Sequence, residues 1–186
     1  MFDALSFEVT AGQILQIEGP NGSGKTSLLR MLAGLSLPDE GQIFWNDELI
    51  RRQRANYSMA LHYIGHQPGL KSGLSVVENL RFSCRLMGGQ DIEAALRTLS
   101  IQEQSTQLAH TLSAGQQRRV ALARLLLRPA PLWILDEPYT ALDVRGIEMI
   151  NQQLSAHVSA GGMVVLTSHQ PLQLLNISLR RLRLGA

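Results

Sequence analysis

The chain has 186 residues, of which 45% are apolar and only 17% are Asp, Glu, Lys or Arg, against roughly 25% charged residues in an average soluble domain. Seventeen basic and fifteen acidic side chains leave a formal charge of +2 with no block of like charges, which excludes a basic nucleic-acid arm and an acidic solvating tail. The single cysteine, Cys84, excludes an internal disulfide framework and a cysteine-rich metal site and reads as a small apolar residue.

The length fits one domain with a sizeable core. No apolar stretch approaches the roughly 20 residues that cross a bilayer. Residues 1–12 carry Asp3 and Glu8 where a signal peptide would have a basic start and an apolar run, so a cytosolic chain is expected. The low charge for this size implies that part of the surface is covered by a partner.

In chain order, residues 5–9 alternate and predict a strand, and Gln13–Glu18 predicts a second that ends on a glycine. A helix is expected over 25–35, from Leu28, Leu29, Leu32 and Leu35 at helical spacing, with Gly34 and Pro38 marking its stop. A strand over 42–45, a turn at Asn46-Asp47, a strand over 62–65 and a turn at Pro68-Gly69 follow. Helices are expected over Val76–Met87 and 92–99, with a short turn after Ile101 and a longer helix over 114–127. Pro129 and Pro131 break that pattern before the apolar strand Leu132–Leu135. A helix over 145–158, the Gly161-Gly162 turn, a buried strand Met163–Thr167 and an arginine-bearing edge strand over 177–184 complete the chain. Strands alternating with helices predict a largely parallel α/β core, into which the helical block of about 75–128 is inserted.

The chemistry begins at Gly19-Pro20-Asn21-Gly22-Ser23-Gly24-Lys25-Thr26. This matches the phosphate-binding pattern G-x-x-x-x-G-K-[ST], placed between a strand and a helix as the pattern requires. Its glycines let the backbone approach a phosphate, and successive N–H groups at a helix start supply positive potential. Lys25 would reach the β- and γ-phosphates, and Thr26 would place its hydroxyl on Mg²⁺. A plain glycine-rich turn would not explain why one of only two lysines stands here. Leu132 to Leu135 run into Asp136-Glu137; Asp136 would hold the magnesium and Glu137 would polarise a water attacking the γ-phosphate. Adjacent acids can also make an ordinary strand-end turn, and the phosphate loop upstream decides for the catalytic reading.

A further motif narrows the class. Leu112-Ser113-Ala114-Gly115-Gln116, followed by Gln117-Arg118-Arg119-Val120-Ala121-Leu122-Ala123-Arg124, resembles the signature of ATP-binding cassette (ABC) ATPases, P-loop NTPases with a mainly parallel sheet, an antiparallel part and a helical subdomain. Ser113 is at the same time a good helix cap. Gln67, Thr140-Ala141-Leu142-Asp143 and His169 stand where that family has its Q-loop, D-loop and switch histidine. The resemblance implies that Gln67 contacts magnesium and the attacking water, and that His169 holds the γ-phosphate and orients Glu137. It implies a nucleotide set of Gly19 to Ser27 on one copy and Ser113, Gly115, Gln116 and Asp143 on another, with Thr26, Gln67 and Asp136 on the metal. One phosphate loop and one signature then require a second chain, most simply a second copy in a head-to-tail dimer across ATP.

The sequence around these motifs, including Ile64-Gly65-His66-Gln67-Pro68-Gly69 and Ser168-His169-Gln170-Pro171-Leu172, resembles the ATP-binding subunits of cytochrome c maturation (haem exporter) systems. That resemblance implies integral membrane subunits of a haem-handling complex, a place on the cytoplasmic face of the bacterial inner membrane, and hydrolysis that powers haem export or haem-chaperone release. The alternative is a soluble ABC-type ATPase acting mechanically without a membrane partner. Family members also carry an aromatic residue that stacks on adenine in a strand ahead of Met1-Phe2-Asp3. Phe2 is therefore left unassigned: the expectation is either that the start used is an internal one or that adenine is held more weakly, by about 1–3 kcal/mol.

Overall fold

The computed structural model describes residues 5–87, 91–169, 172 and 177–185. Phe2 and the pair Gln170-Pro171 lie outside the described residues. The chain divides into two compact units: Met1–Tyr63, Ala130–Glu137 and Leu154–Ala186 form one, and Ile64–Pro129 with Pro138–Gln153 form the other.

β1 (Gln13–Glu18) leads to α1 (Lys25–Leu32), a hairpin of β2 (Phe44–Trp45) and β3 (Glu48–Leu49), then α2 (Arg54–Ala60) and β4 (Leu61–Ile64). The middle is helical, with α3 (Val76–Met87), α4 (Ile92–Thr98) and α5 (Ala114–Ala123). The last third alternates β5 (Leu132–Leu135), α6 (Val144–Ser159), β6 (Met163–Thr167) and β7 (Ser178–Arg183).

The main sheet has the order β4-β5-β6-β1-β7, and the pairs β5-β6, β6-β1 and β1-β7 are parallel. The β2-β3 hairpin is a separate antiparallel pair, so the expected mainly parallel sheet with an antiparallel part is present. Central strands read as apolar runs because both faces are covered: Ile14, Ile17, Ile134 and Leu135 are fully buried. The core of the first unit joins Leu15, Ile17, Ile134 and Val165 to Leu28 and Leu29 of α1 and Tyr57 of α2. β7 lies at the sheet edge with its arginines exposed, Arg181 and Arg183 pairing with Glu18.

Three local expectations are corrected, and two elements had none. Residues 5–9 join neither sheet, although Leu5, Phe7 and Val9 do turn towards the core in alternation. The first helix ends at Leu32 rather than at 35, because left-handed Gly34 (φ 71°) closes it. Leu35 N donates to Arg30 O and Gly34 N to Met31 O, a Schellman closure. The helix expected over 114–127 is α-helical only to Ala123 and continues as a 3₁₀ turn, Arg124–Leu126. β3 and α2 have no counterpart among the sequence expectations; α2 is held by the buried Tyr57, whose hydroxyl donates to Leu32 O at 2.6 Å.

In the second unit α3, α4 and α5 pack together over Val76, Leu80, Leu96, Leu99, Val120 and Leu122. Their starts are capped by side chains: Ser75 and Glu78 bond reciprocally, Asp91 accepts from Ala94 N, and Ser113 and Gln116 form a capping box.

A half-buried histidine is expected to make the first unit acid-sensitive. His157 of α6 stacks flat on Trp133 of β5, with ring centroids 3.9 Å apart. Gly162 lies so close that a Cβ there would meet the ring at 2.3 Å. Burial lowers the His157 pKa below 6.5, outweighing the opposing backbone contacts at Met163 and Pro131. The unfolded chain therefore binds this proton more readily than the folded one. The contribution is complete above the unfolded value and is lost as pH falls from about 6.5 towards the folded one. Melting curves from pH 8 to 5 should show this fall in the wild type and a shallower one in His157→Phe, which keeps the stack. An equal slope in both proteins would show that the histidine is not responsible.

Candidate active site

The first unit assembles the phosphate loop and the two acids in one cleft. The loop leaves β1 at Glu18 and enters α1 at Lys25. Gly24 caps the helix with φ 93°, without a side-chain cap and with no acidic residue in the first turn. The helix start therefore keeps its N–H groups and positive end for an anion. Gly19 is required for a different reason: a Cβ there would sit 2.6 Å from Leu184 O and 2.7 Å from Ser23 Oγ. Lys25 Nζ donates to Gly19 O at 2.8 Å and Pro20 O at 3.0 Å, folding over the loop that it follows. Ser23 Oγ is buried and has no hydrogen-bond partner, a polar atom that a bound phosphate would satisfy.

The cleft, of about 300 Å³, is lined by Asn21, Gly22, Gly24, Lys25, Thr26 and Ser27 together with Asp136, Glu137 and His169. Asp136 is buried, with Oδ2 accepting from Thr26 Oγ1 and Oδ1 from Thr167 Oγ1, each at 2.8 Å. Glu137 follows in the left-handed region at φ 50°, uncommon for a non-glycine residue and typical of functional turns. Its N–H donates to Thr167 Oγ1 at 2.9 Å, and its carboxylate accepts from His169 N at 3.3 Å and lies 3.5 Å from His169 Nε2. The exposed His169 ring thus stands beside the less exposed glutamate.

The sequence marks Thr167 only as a strand end, yet its one hydroxyl joins both acids. Thr167→Val keeps the shape but leaves a buried carboxylate oxygen and the Glu137 N–H without that partner, at about 1–3 kcal/mol each. The expected result is a lower melting temperature and slower ATP turnover, both restored in Thr167→Ser. Unchanged melting in the valine variant would show that the hydroxyl bonds carry no stability.

The remaining expected residues lie in the second unit. Gln67 is exposed in the loop after β4. Ser113 Oγ and Gln116 Oε1 are engaged in the cap at the start of α5. Gly115 packs against the 139–142 turn so tightly that a Cβ would meet Ala141 O at 2.6 Å. Asp143 accepts from Gly146 N and pairs with Arg119, and these partners hold its carboxyl below the ordinary range, the Gly146 bond first.

These features define a nucleotide-hydrolysing cassette, and residues 2–140 match the sequence family described as ABC transporter. The chain belongs to the ABC transporter family, as an ATP-binding ATPase cassette. It is 50% identical over 186 residues to the cytochrome c biogenesis ATP-binding export protein CcmA of Tatumella citrea, covering 100% of this chain and 89% of that protein. It is 51% identical over 176 residues to the protein of the same name from Methylococcus capsulatus, covering 92% and 85%. A solved structure described as the ATP-binding subunit of an ABC transporter superposes with a TM-score of 0.85 at 24% identity, covering 97% of this chain and 80% of that one.

Proposed function

We propose that this chain is the ATP-hydrolysing subunit of a bacterial complex for cytochrome c maturation, powering haem export or the release of a haem-loaded chaperone. The reading is supported by likeness to CcmA along the whole chain and carried by one observation, the Thr26-Asp136-Thr167-Glu137-His169 network beside the phosphate loop. In it Gly19 to Ser27 bind the phosphates of ATP, with Lys25 on the β- and γ-phosphates. Glu137 accepts a proton from the attacking water, and His169 holds the γ-phosphate and keeps Glu137 oriented.

The donor set also suits Mg²⁺. Thr26 Oγ1 and the Asp136 carboxylate are hard oxygen ligands already brought together, with Gln67 as a third expected contact. Bound there, the ion would neutralise charge on the phosphates. Thr26 can keep its proton on Asp136 while offering a lone pair to the metal.

Ser113, Gly115, Gln116 and Asp143 act on the nucleotide of a second copy, so that two chains enclose two ATP molecules head to tail. No helix among the described residues is long and apolar enough to cross a membrane, and the proposed place is peripheral, on the cytoplasmic face of the inner membrane, against integral subunits. Affinity capture of the tagged chain from detergent-solubilised bacterial membranes tests this. Recovery of integral membrane proteins that bind haem is the expected result; recovery of ribosomes or DNA without membrane proteins would overturn it.

A further inference from the structure

Two arginines of α5 and its end are used in an unexpected way. Arg118 is buried, at 3% exposure. Its Nη1 donates to Gly65 O at 2.8 Å and His66 O at 3.4 Å, and its Nε donates to Pro138 O at 3.2 Å. Arg124, the C-cap of the helix, sends Nη2 to Pro68 O and Nε to Ala121 O. Its guanidinium also lies 3.7 Å from where a Cβ on Gly69 would stand. Backbone carbonyls at 65, 66 and 68 are therefore all held from α5 and its C-cap, and Gln67 is one of the two exposed side chains in this stretch, with His66.

The chemistry of this contact is demanding. A guanidinium withdrawn from water loses hydration, and it is tolerated only where its fixed fork of donors meets acceptors in the right places. Burial lowers the affinity of Arg124 for its proton. A lysine ammonium, a single point charge, could not reproduce the spread of Arg118 across the carbonyls of Gly65, His66 and Pro138. The same α5 begins at Ser113 to Gly115, and its start is locked by the capping box and by the close approach of Gly115 to Ala141. One helix thus carries the capping box at its start and, through Arg118 and its C-cap Arg124, contacts to the backbone on both sides of Gln67.

We propose that Arg118 and Arg124 form a clamp that sets the position of Gln67, and that they are positioning residues for ATP turnover. The proposal rests on the reading of Gln67 as the contact to metal and attacking water. Without the clamp the nucleotide still binds the phosphate loop, but Gln67 is no longer delivered to its working place. The effect belongs in kcat and not in ATP affinity.

The test is a double-mutant cycle in the full chain, using Arg118→Met, Gln67→Ala and the pair, with ATP and Mg²⁺. Arg118→Met should lower kcat about tenfold with an ATP Kd within about twofold of wild type, and should lower it no further in the Gln67→Ala background. Hydrogen exchange of the Gly65, His66, Gln67 and Gly69 amides should be faster in Arg118→Met than in wild type. Equal fold losses in both backgrounds, or unchanged kcat, would overturn the clamp. If Gln67→Ala alone turns over like wild type, the reading of Gln67 fails and the clamp loses its catalytic purpose. Unchanged exchange at 65–69 would instead show that the clamp itself is wrong. Where Arg118→Met melts below the assay temperature, Arg124→Lys takes its place in the same cycle.

Discussion

Glu137→Gln should bind ATP as the wild type does and hydrolyse it about 10²–10⁴ times more slowly, the share that general base catalysis contributes, equivalent to about 3–5 kcal/mol of barrier. The substitution is nearly isosteric, so the Glu137 N–H bond to Thr167 and the left-handed turn at φ 50° are preserved. The amide oxygen can still accept from His169 N. What disappears is the basic oxygen facing the cleft. Equilibrium ATP binding measured beside single-turnover hydrolysis separates the two effects, and hydrolysis at the wild-type rate would remove Glu137 from the role of base.

Lys25→Met has its effect one step earlier, on binding. Among the described residues no carboxylate forms an ion pair with Lys25; its ammonium rests on the carbonyls of Gly19 and Pro20 and has its charge to offer to phosphate. A hydrogen bond to a charged group contributes about 1.5–3 kcal/mol, so ATP affinity should fall about 10–150-fold. Methionine keeps the length and packing of the stem, and the far-ultraviolet dichroism should not change. Calorimetric titration with ATP reads the loss, and an unaltered affinity would mean that the N–H groups of the loop suffice for binding.

Legibility in the sequence followed the range of each interaction. Gln13–Glu18, Leu132–Leu135 and Met163–Thr167 were readable because strands covered on both faces are apolar along their length. The Asn46-Asp47 turn was readable because the two residues between β2 and β3 adopt φ of 49° and 63°, as short hairpins require. By contrast α2 follows Arg51-Arg52-Gln53 and begins at Arg54, with little amphipathic pattern; the burial of Tyr57 and its bond to Leu32 O hold it in place. The strand expected over 5–9 had the right alternation, and pairing, which no local pattern specifies, was absent.

The sequence by itself determined the phosphate loop, the adjacent acids, the signature and the α/β class, because each is written in consecutive residues whose geometry is local. Only the tertiary structure decided how Asp136 and Glu137 are held. The register that sets Leu135 opposite Leu166 brings Asp136 beside Thr167, a residue 31 positions away, and one hydroxyl then satisfies both neighbours. The same is true of Arg118, whose partners lie about 50 residues upstream and 20 downstream. In the sequence it is one arginine among fifteen; burial against three carbonyls distinguishes it, and burial is a property of the packed chain.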